Sequence, residues 1–418
     1  MLYYLLAAPV LLVAGYAVSQ LLVRAPPRRA AVYSQPGPWY RLKYWAFVGI
    51  LAFRKWRSKN TKAGEGMAAG MGVKSRNSSA DMEEIQKLQD HPKAIDAVYF
   101  NGSNRDGVYF VAATARRPNK VTQTVLYLRF PDIGLLEHPC LPNTAMERET
   151  DREYAARGLR LEMVEPMKVW RLSYSGKMRA VDQTKQLLQT EFVLTWTACT
   201  PYYDFDTDME PWAVADAMAR EPWSREFFQN LQDMHQTHYE QFGTFEGTVH
   251  VEGYQDRKIV IKGLRDHSYG KYRDWSLFHR YGLQMLHLED GTCFNVGIVS
   301  MPATMSRLAL GYVLHPDGSK SSLSSLDWDL STCGEDGIQP KMFAFDFMAG
   351  GKKYHLECKV LRAPIFYIGF GWTAKIHEGF AEFTVNGVPG WGIAEWDFRN
   401  HGGLPEEFRS GTTGVEAL

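Results

Sequence analysis

The side chains best suited to acid–base chemistry gather in residues 238–275, HYEQFGTFEGTVHVEGYQDRKIVIKGLRDHSYGKYRDW. Arg265, Asp266, His267, Arg273 and Asp274 stand there among aromatic and glycine residues. A carboxyl group kept neutral in an apolar pocket can protonate an alkene, and a neighbouring histidine can orient it or act in its place. Asp266, His267 and Asp274 are therefore the candidate catalytic residues. On an extended strand Arg265, His267 and Tyr269 share one face, and Asp266 and Ser268 the other. A second reading stays open: an Arg–Asp corner with Trp275 beneath it, locking strands to a loop and catalysing nothing. Candidate ligand-binding residues are Glu240, Arg265, Tyr269, Arg273 and Trp275. His377 of the HEG at 377–379, and Trp391 and Glu395 of GWGIAEW at 390–396, either add polar wall or belong to surface hairpins.

Other motifs do not carry chemistry. There is no GxSxG, P-loop, HExxH or EF-hand loop. Gly369 to Ala374 matches GxGxxA, but the alternating pattern after it is not the helix a dinucleotide site needs. His235 and His238 have metal-compatible spacing without further ligands and read as a surface pair at a helix end. No metal site is expected.

The elements that must position these residues are mostly strands. From about Ala97, VTQTVLYLRF, GLRLEMV, KVWRLSYSG, EFVLTWTA, GTVHVEG, YHLECKVL and GFAEFTV show period-two texture. In the first, Leu126, Leu128 and Phe130 share a face. Asn386-Gly387 is a hairpin-turn pair. One helix is expected over 222–237, with Pro222 in its first turn and an apolar stripe of Trp223, Phe227, Phe228, Leu231 and Met234. A shorter one starts near Asp81, with Glu84 in the capping-box position.

The N-terminal part is different. Residues 2–23 are uncharged, and about 22 residues at 1.5 Å each are long enough to cross a hydrocarbon core. Arg24 to Lys62 then holds ten Lys/Arg and no acid. This predicts one transmembrane helix at 1–23, a single-pass membrane protein with a cytosolic body. Trp39, Tyr40, Tyr44, Trp45, Phe53 and Trp56, interleaved with basic residues, suit a segment in the headgroup region or a short helix packed on the body. Residues 60–80 read as a flexible tether. From residue 63 onward, 37 basic face 47 acidic side chains, which argues against nucleic acid as a partner. Five scattered cysteines show no disulfide or zinc framework.

HYEQFG, GLRDHSYG, RDW, HEG and GWGIAEW together resemble the two-domain lipocalin-like family. It includes carotenoid hydratases of the hydroxyneurosporene synthase type, AttH-like proteins and fungal pericyclases of the same architecture. Related segments precede phosphotransferase-like domains in animal proteins. The likeness spans about 95–400 and is densest at 238–300 and 377–396. It implies an all-β fold of two consecutive lipocalin-like antiparallel β-barrels, an apolar ligand near their interface, and no metal or organic cofactor. The expected layout is an anchor at 1–23, a basic juxtamembrane segment and linker at 24–80, a first β domain with a linking helix at 81–237, a second at 238–405 and a tail at 406–418. The expected function is binding of an isoprenoid- or lipid-like molecule, with hydration, isomerisation or cyclisation by acid–base chemistry. A non-catalytic lipid-binding or transfer module, or an interaction scaffold, is the alternative.

Overall fold

Period-two sequence here closes into two barrels. A computed structural model describes residues 15–60, 78–148, 150–182 and 186–408. The first barrel has eight strands: β1 (Ile95–Ser103), β2 (Tyr109–Arg116), β3 (Val121–Phe130), β4 (Gly134–Glu137), β5 (Val169–Ala180), β6 (Leu187–Ala198), β7 (Thr237–Val251) and β8 (Arg257–Gly270). Each pairs antiparallel with the next, and β8 closes on β1. The second barrel repeats the plan with β9 (Arg280–Leu288), β10 (Cys293–Met301), β11 (Met305–Leu314), β12 (Lys320–Asp327), β13 (Met342–Ala349), β14 (Lys352–Arg362), β15 (Ala374–Val385) and β16 (Val388–Arg399). Here β16 pairs back with β9. Closure leaves neither sheet a long free edge. Asn386 and Gly387 turn β15 into β16 with φ of 49° and 83°, the left-handed pair a tight hairpin needs.

Alternation decides what each face touches. Val98, Phe100, Leu126, Leu128, Trp170 and Trp196 fill the first barrel, and Phe294, Val296, Phe345, Phe347, Trp396 and Phe398 fill the second. The opposite faces of β1–β3, β7 and β8 are not left to water. Tyr109, Val125, Tyr127, Phe242 and Leu264 pack against Tyr281, Met285, Tyr312, Ile376, Phe380 and Ile393 of the second barrel. The strands at this seam are therefore buried on both faces, whereas β6 alternates buried and exposed residues as a one-sided strand does.

An arginine stacked on aromatic rings sits inside each barrel. In the first, Arg265 ion-pairs with Glu83 among Trp170, Trp196 and Tyr239. Glu83 comes from a short helix, α2 (Ser79–Glu83), whose N-terminus is a capping box of Ser78 and Asp81. In the second, Arg280 lies beside Trp396 and Phe398 and donates to the Tyr33 hydroxyl at 2.9 Å. Tyr33 itself lies in the second barrel's core.

Several expectations are corrected. The boundary expected at 237/238 falls inside the first barrel, because Thr237–Val251 and Arg257–Gly270 are its last two strands. The helix expected at 222–237 is the shorter α4 (Arg225–Asp233), and a further, unexpected helix, α3 (Pro211–Arg220), precedes it. Ser224, not Pro222, starts α4, its hydroxyl accepting from Phe227 N at 3.0 Å. The basic aromatic segment is helix α1 (Tyr40–Asn60), which buries Phe47 and Leu51 on Ala215, Met218, Phe227 and Leu231 of α3 and α4. The first half of the expected juxtamembrane linker is thus part of the folded body.

The expected transmembrane helix and single-pass localisation are corrected as well. Among the described residues no helix is long and apolar enough to cross a membrane. Of the 2–23 run, residues 15–22 are helical, and 1–14 lie outside the described residues. Most of the expected tether and tail, 61–77 and 409–418, lies outside them too.

Candidate functional site

The seam between the barrels is not completely filled. A cavity of about 420 Å³ opens among Ala97, Ala113, Val125, Leu283, Val299 and Ile376, with Val214 of α3, Leu231 of α4 and Met234 at the end of α4 on one side. That volume and apolar wall suit a small apolar molecule. A second concavity, about 790 Å³, is an open groove on the first barrel's outer surface beside Glu153, Arg160, Glu191 and Glu246, with no apolar enclosure.

Six carboxyl residues line the seam cavity: Asp206 and Asp274 come from loops, and Glu240, Asp266, Glu378 and Glu395 come from barrel strands. Strand register explains their convergence. Tyr99, Asp266 and Glu240 form one row across β1, β8 and β7. Glu378, Glu395 and Leu283 form a row across β15, β16 and β9. The two rows meet where the outer faces of the barrels meet.

Each carboxyl has a different environment. Glu240 is held ready-made: Asn295 Nδ2 donates to Oε1 at 2.8 Å and to Oε2 at 2.7 Å, and Tyr312 donates to Oε2 at 2.6 Å. His238 Nε2 lies 3.1 Å from its Oε1. Burial pushes the His238 pKa down, but the hydrogen bond to Glu240 and the charge of Asp266 more than offset this and hold it above the ordinary value. Asp266 is partly buried and lines the cavity, and burial raises its pKa despite nearby His238 and Arg273. Glu378 and Glu395 stand directly opposite each other on adjacent strands. Burial raises both, and the charge of Glu395 raises Glu378 further, so Glu378 sits well above the ordinary carboxylate range. Tyr281 donates to Glu395 Oε1 at 2.6 Å, and Tyr99 approaches Glu378 Oε2 at 3.4 Å. Glu378 Oε1 is buried and has no hydrogen-bond partner among the described residues. One proton shared by this pair resolves the repulsion that two buried anions would suffer.

The residues expected to be catalytic separate. Asp266 reaches the cavity. His267 does not: on the other face of β8 it is fully buried in the first barrel, with Nε2 2.7 Å from Asp96 Oδ1 and Nδ1 2.9 Å from the Tyr239 hydroxyl. Asp274 lines the cavity rim but caps the turn Trp275–Leu277 through Ser276 N at 2.9 Å and ion-pairs with Lys93. Burial alone would raise its pKa, but those hydrogen bonds hold it below the usual range, as a fixed anion rather than an acid.

The expected ligand-binding residues also divide. Glu240, Arg273, Trp275 and Glu395 line the cavity. Arg273 donates to Gln236 Oε1 at 2.7 Å and lies over Trp275. Arg265 is buried inside the first barrel with Glu83, and Tyr269 stacks near the His267 ring there, with centroids 5.2 Å apart. His377 points into the second barrel, 5.2 Å from the Phe398 ring, and burial lowers its pKa to about 4. Trp391 lies beside His287, away from the cavity. His235 and His238, expected at a surface, both line the cavity.

The residues missed were Glu378, Tyr99 and Tyr281. Glu378 carried a sequence signal. In KIHEGFAEF its neighbours on the same strand face are Ile376 and Phe380, so it is a carboxyl on an otherwise apolar face.

Among the described residues no group of three or more His, Cys, Asp or Glu could hold a metal ion. Residues 11–398 match a family of unknown function, DUF8627, and the chain belongs to that family. None of the curated protein sequences matches it. Solved structures similar to it include an AttH protein of Nitrosomonas europaea, 11% identical over 74% of this chain and 96% of that one, with a TM-score of 0.45. CghA is 10% identical over 75% and 90%, with a TM-score of 0.42. Kievitone hydratase of Nectria haematococca is 10% identical over 74% and 89%, with a TM-score of 0.43.

Proposed function

We propose that this protein binds an apolar, isoprenoid- or lipid-like molecule between its barrels and transforms it by acid–base chemistry. The observation that carries the reading is the Glu378–Glu395 pair, opposed across two strands and buried at an apolar cavity beside Asp266 and Glu240. A neutral carboxyl there is a general acid at a pH where a solvated one is spent.

Glu378 donates its proton to one carbon of an alkene. The π electron pair forms the new C–H bond, and the O–H pair stays on the carboxylate. The adjacent carbon becomes cationic and is stabilised by the anions Glu240 and Glu395. Capture by water, which gives its surplus proton to a carboxylate, is hydration. Loss of a neighbouring C–H proton to Asp266 is isomerisation. Attack by a second π bond of the same molecule is cyclisation. In each route the proton returns to the carboxylate group and no redox partner is needed. Which route dominates follows from how the apolar wall holds the chain.

Native mass spectrometry of the full chain tests the binding half. A bound apolar molecule, or farnesol added as a probe at one per protein, is expected in the wild type and lost when Ala113→Trp fills the cavity. Equal farnesol binding by the two proteins contradicts it. Binding without change in the bound molecule's mass or retention time would leave the non-catalytic carrier reading standing instead.

A further inference from the structure

Among the described residues, the outer face of α1 leaves a run of apolar and aromatic side chains exposed. Its inner face is committed: Phe47 and Leu51 are buried on α3 and α4, Tyr40 donates to Asp216, and Lys43 donates to the Glu221 carbonyl at 2.7 Å. The outer stripe is Leu42, Trp45, Ile50, Phe53 and Trp56, each between 47% and 67% exposed. Gly49 lies within it, with nothing near the position of a Cβ. Helices of globular proteins turn charge, not two tryptophans and a phenylalanine, toward water.

The patch continues beyond α1. Residues 15–22 are helical and dock beside its start, where the Tyr16 ring meets Trp39 edge-on at 6.1 Å and Gln20 accepts from Trp39 N at 2.9 Å. Val18, Leu21, Leu22 and Val23 are all at least half exposed there. Charge within the segment itself has one sign, and the acids near α1, Asp216 and Asp206, come from other parts of the body. From Arg24 to Lys62 there is no acidic residue, and Arg41 and Lys55 flank the stripe in exposed positions.

The inner layer links this surface to the cavity. Leu231, Val214 and Met305 line the cavity, and the same residues pack against Phe47, Leu51, Tyr44 and Val48 of α1. Side chains of α3, α4 and the start of β11 lie between the exposed helix and the apolar space between the barrels.

We propose that α1 and residues 15–23 form a membrane-facing surface that lies flat on an anionic bilayer without crossing it, and sets the helical wall of the cavity toward the lipid. Apolar and aromatic side chains enter the headgroup boundary, and the flanking cations meet anionic headgroups. α1 carries six basic residues along its 21 and cannot span. A protein partner would equally cover apolar side chains, but a helix that carries six basic and no acidic residues, with tryptophans among them, matches an anionic lipid interface. The surface stands independently of the ligand reading; the inference that the ligand comes out of the bilayer rests on it.

The test is photo-crosslinking of the full chain on vesicles carrying a photoactivatable phosphatidylserine, with lipid adducts mapped by peptide mass. Adducts are expected on Tyr40–Asn60 and on 15–23, and not on the exposed barrel residues Val164, Val260 or Met342. Trp45→Glu with Phe53→Glu should keep the melting temperature and lose at least ten-fold of the α1 adducts. Raised salt, or phosphatidylcholine alone, should also weaken labelling. Adducts confined to the barrels, adducts indifferent to the double variant, or α1 protected by self-association without vesicles would each overturn the proposal. Farnesol binding in vesicle-free buffer reports the cavity separately, so failure of one reading is not mistaken for failure of the other.

Discussion

Glu378 and Glu395 face each other in register across β15 and β16, and neither looks out on bulk water. Like charges opposed in this way cannot both persist, so the folded state retains a proton that the unfolded chain releases near the ordinary glutamate value of 4.5. The folded state therefore binds more protons than the unfolded one above that pH, and stability falls as pH rises toward the raised folded pKa. Denaturant melts from pH 4.5 to 8 should show this decline in the wild type. Glu378→Gln should flatten it and leave the variant at least as stable as the wild type at pH 8. A wild type whose stability rises steadily over this window would contradict a retained proton.

One strand separates structural from functional roles. Asp266 and Arg265 are neighbours on β8 and face opposite ways. Asp266→Asn should keep the fold and change farnesol affinity or turnover. Glu83→Gln leaves the fully buried Arg265 without its anion and should cost about 3–5 kcal/mol. Thermal melts beside farnesol titrations distinguish the two, since the second variant should bind normally in its folded fraction.

His267 belongs with Arg265. His267→Gln disturbs the buried contacts to Asp96 and Tyr239 and should lower the melting temperature with the pH–activity profile unmoved. A shifted profile in a well-folded variant would return His267 to the chemistry.

Asp274→Ala removes a cap and one partner of Lys93. About 1 kcal/mol of stability should be lost, as for other caps. Farnesol binding by the folded protein should stay within two-fold, measured by calorimetry. A strong loss of affinity would assign Asp274 to the ligand.

Much of the fold was legible because alternation and hairpin chemistry are local. Leu126, Leu128 and Phe130 share the first barrel's interior as their spacing predicts, and Asn386-Gly387 turns where such a pair must. The split of Arg265 and His267 from Asp266 was also readable from a period of two. What lay hidden depends on pairing between distant strands. Val125 and Tyr127, the alternate residues of the same strand, meet the second barrel and not water. That seam turns Glu378 and Glu395 from hairpin residues into a buried pair; strand spacing marks Glu378 as a carboxyl on an apolar face but carries no record of what covers that face. The 237/238 boundary failed for a related reason: closure of the first barrel needs β7 and β8, which follow the helices that look like a linker. α1 packs one face on the body, as one of the two sequence alternatives expects, and leaves the other exposed.

The proton on the carboxyl pair can be observed directly by infrared spectroscopy of the full chain in heavy water. At neutral pH a protonated-carboxyl C=O band from buried sites should be present in the wild type, shift in part when farnesol fills the cavity, and lose intensity in Glu378→Gln, with the buried Asp397 supplying the remainder. A spectrum with no such band at neutral pH, or one unchanged in the variant, would contradict the account of a neutral acid held between the barrels.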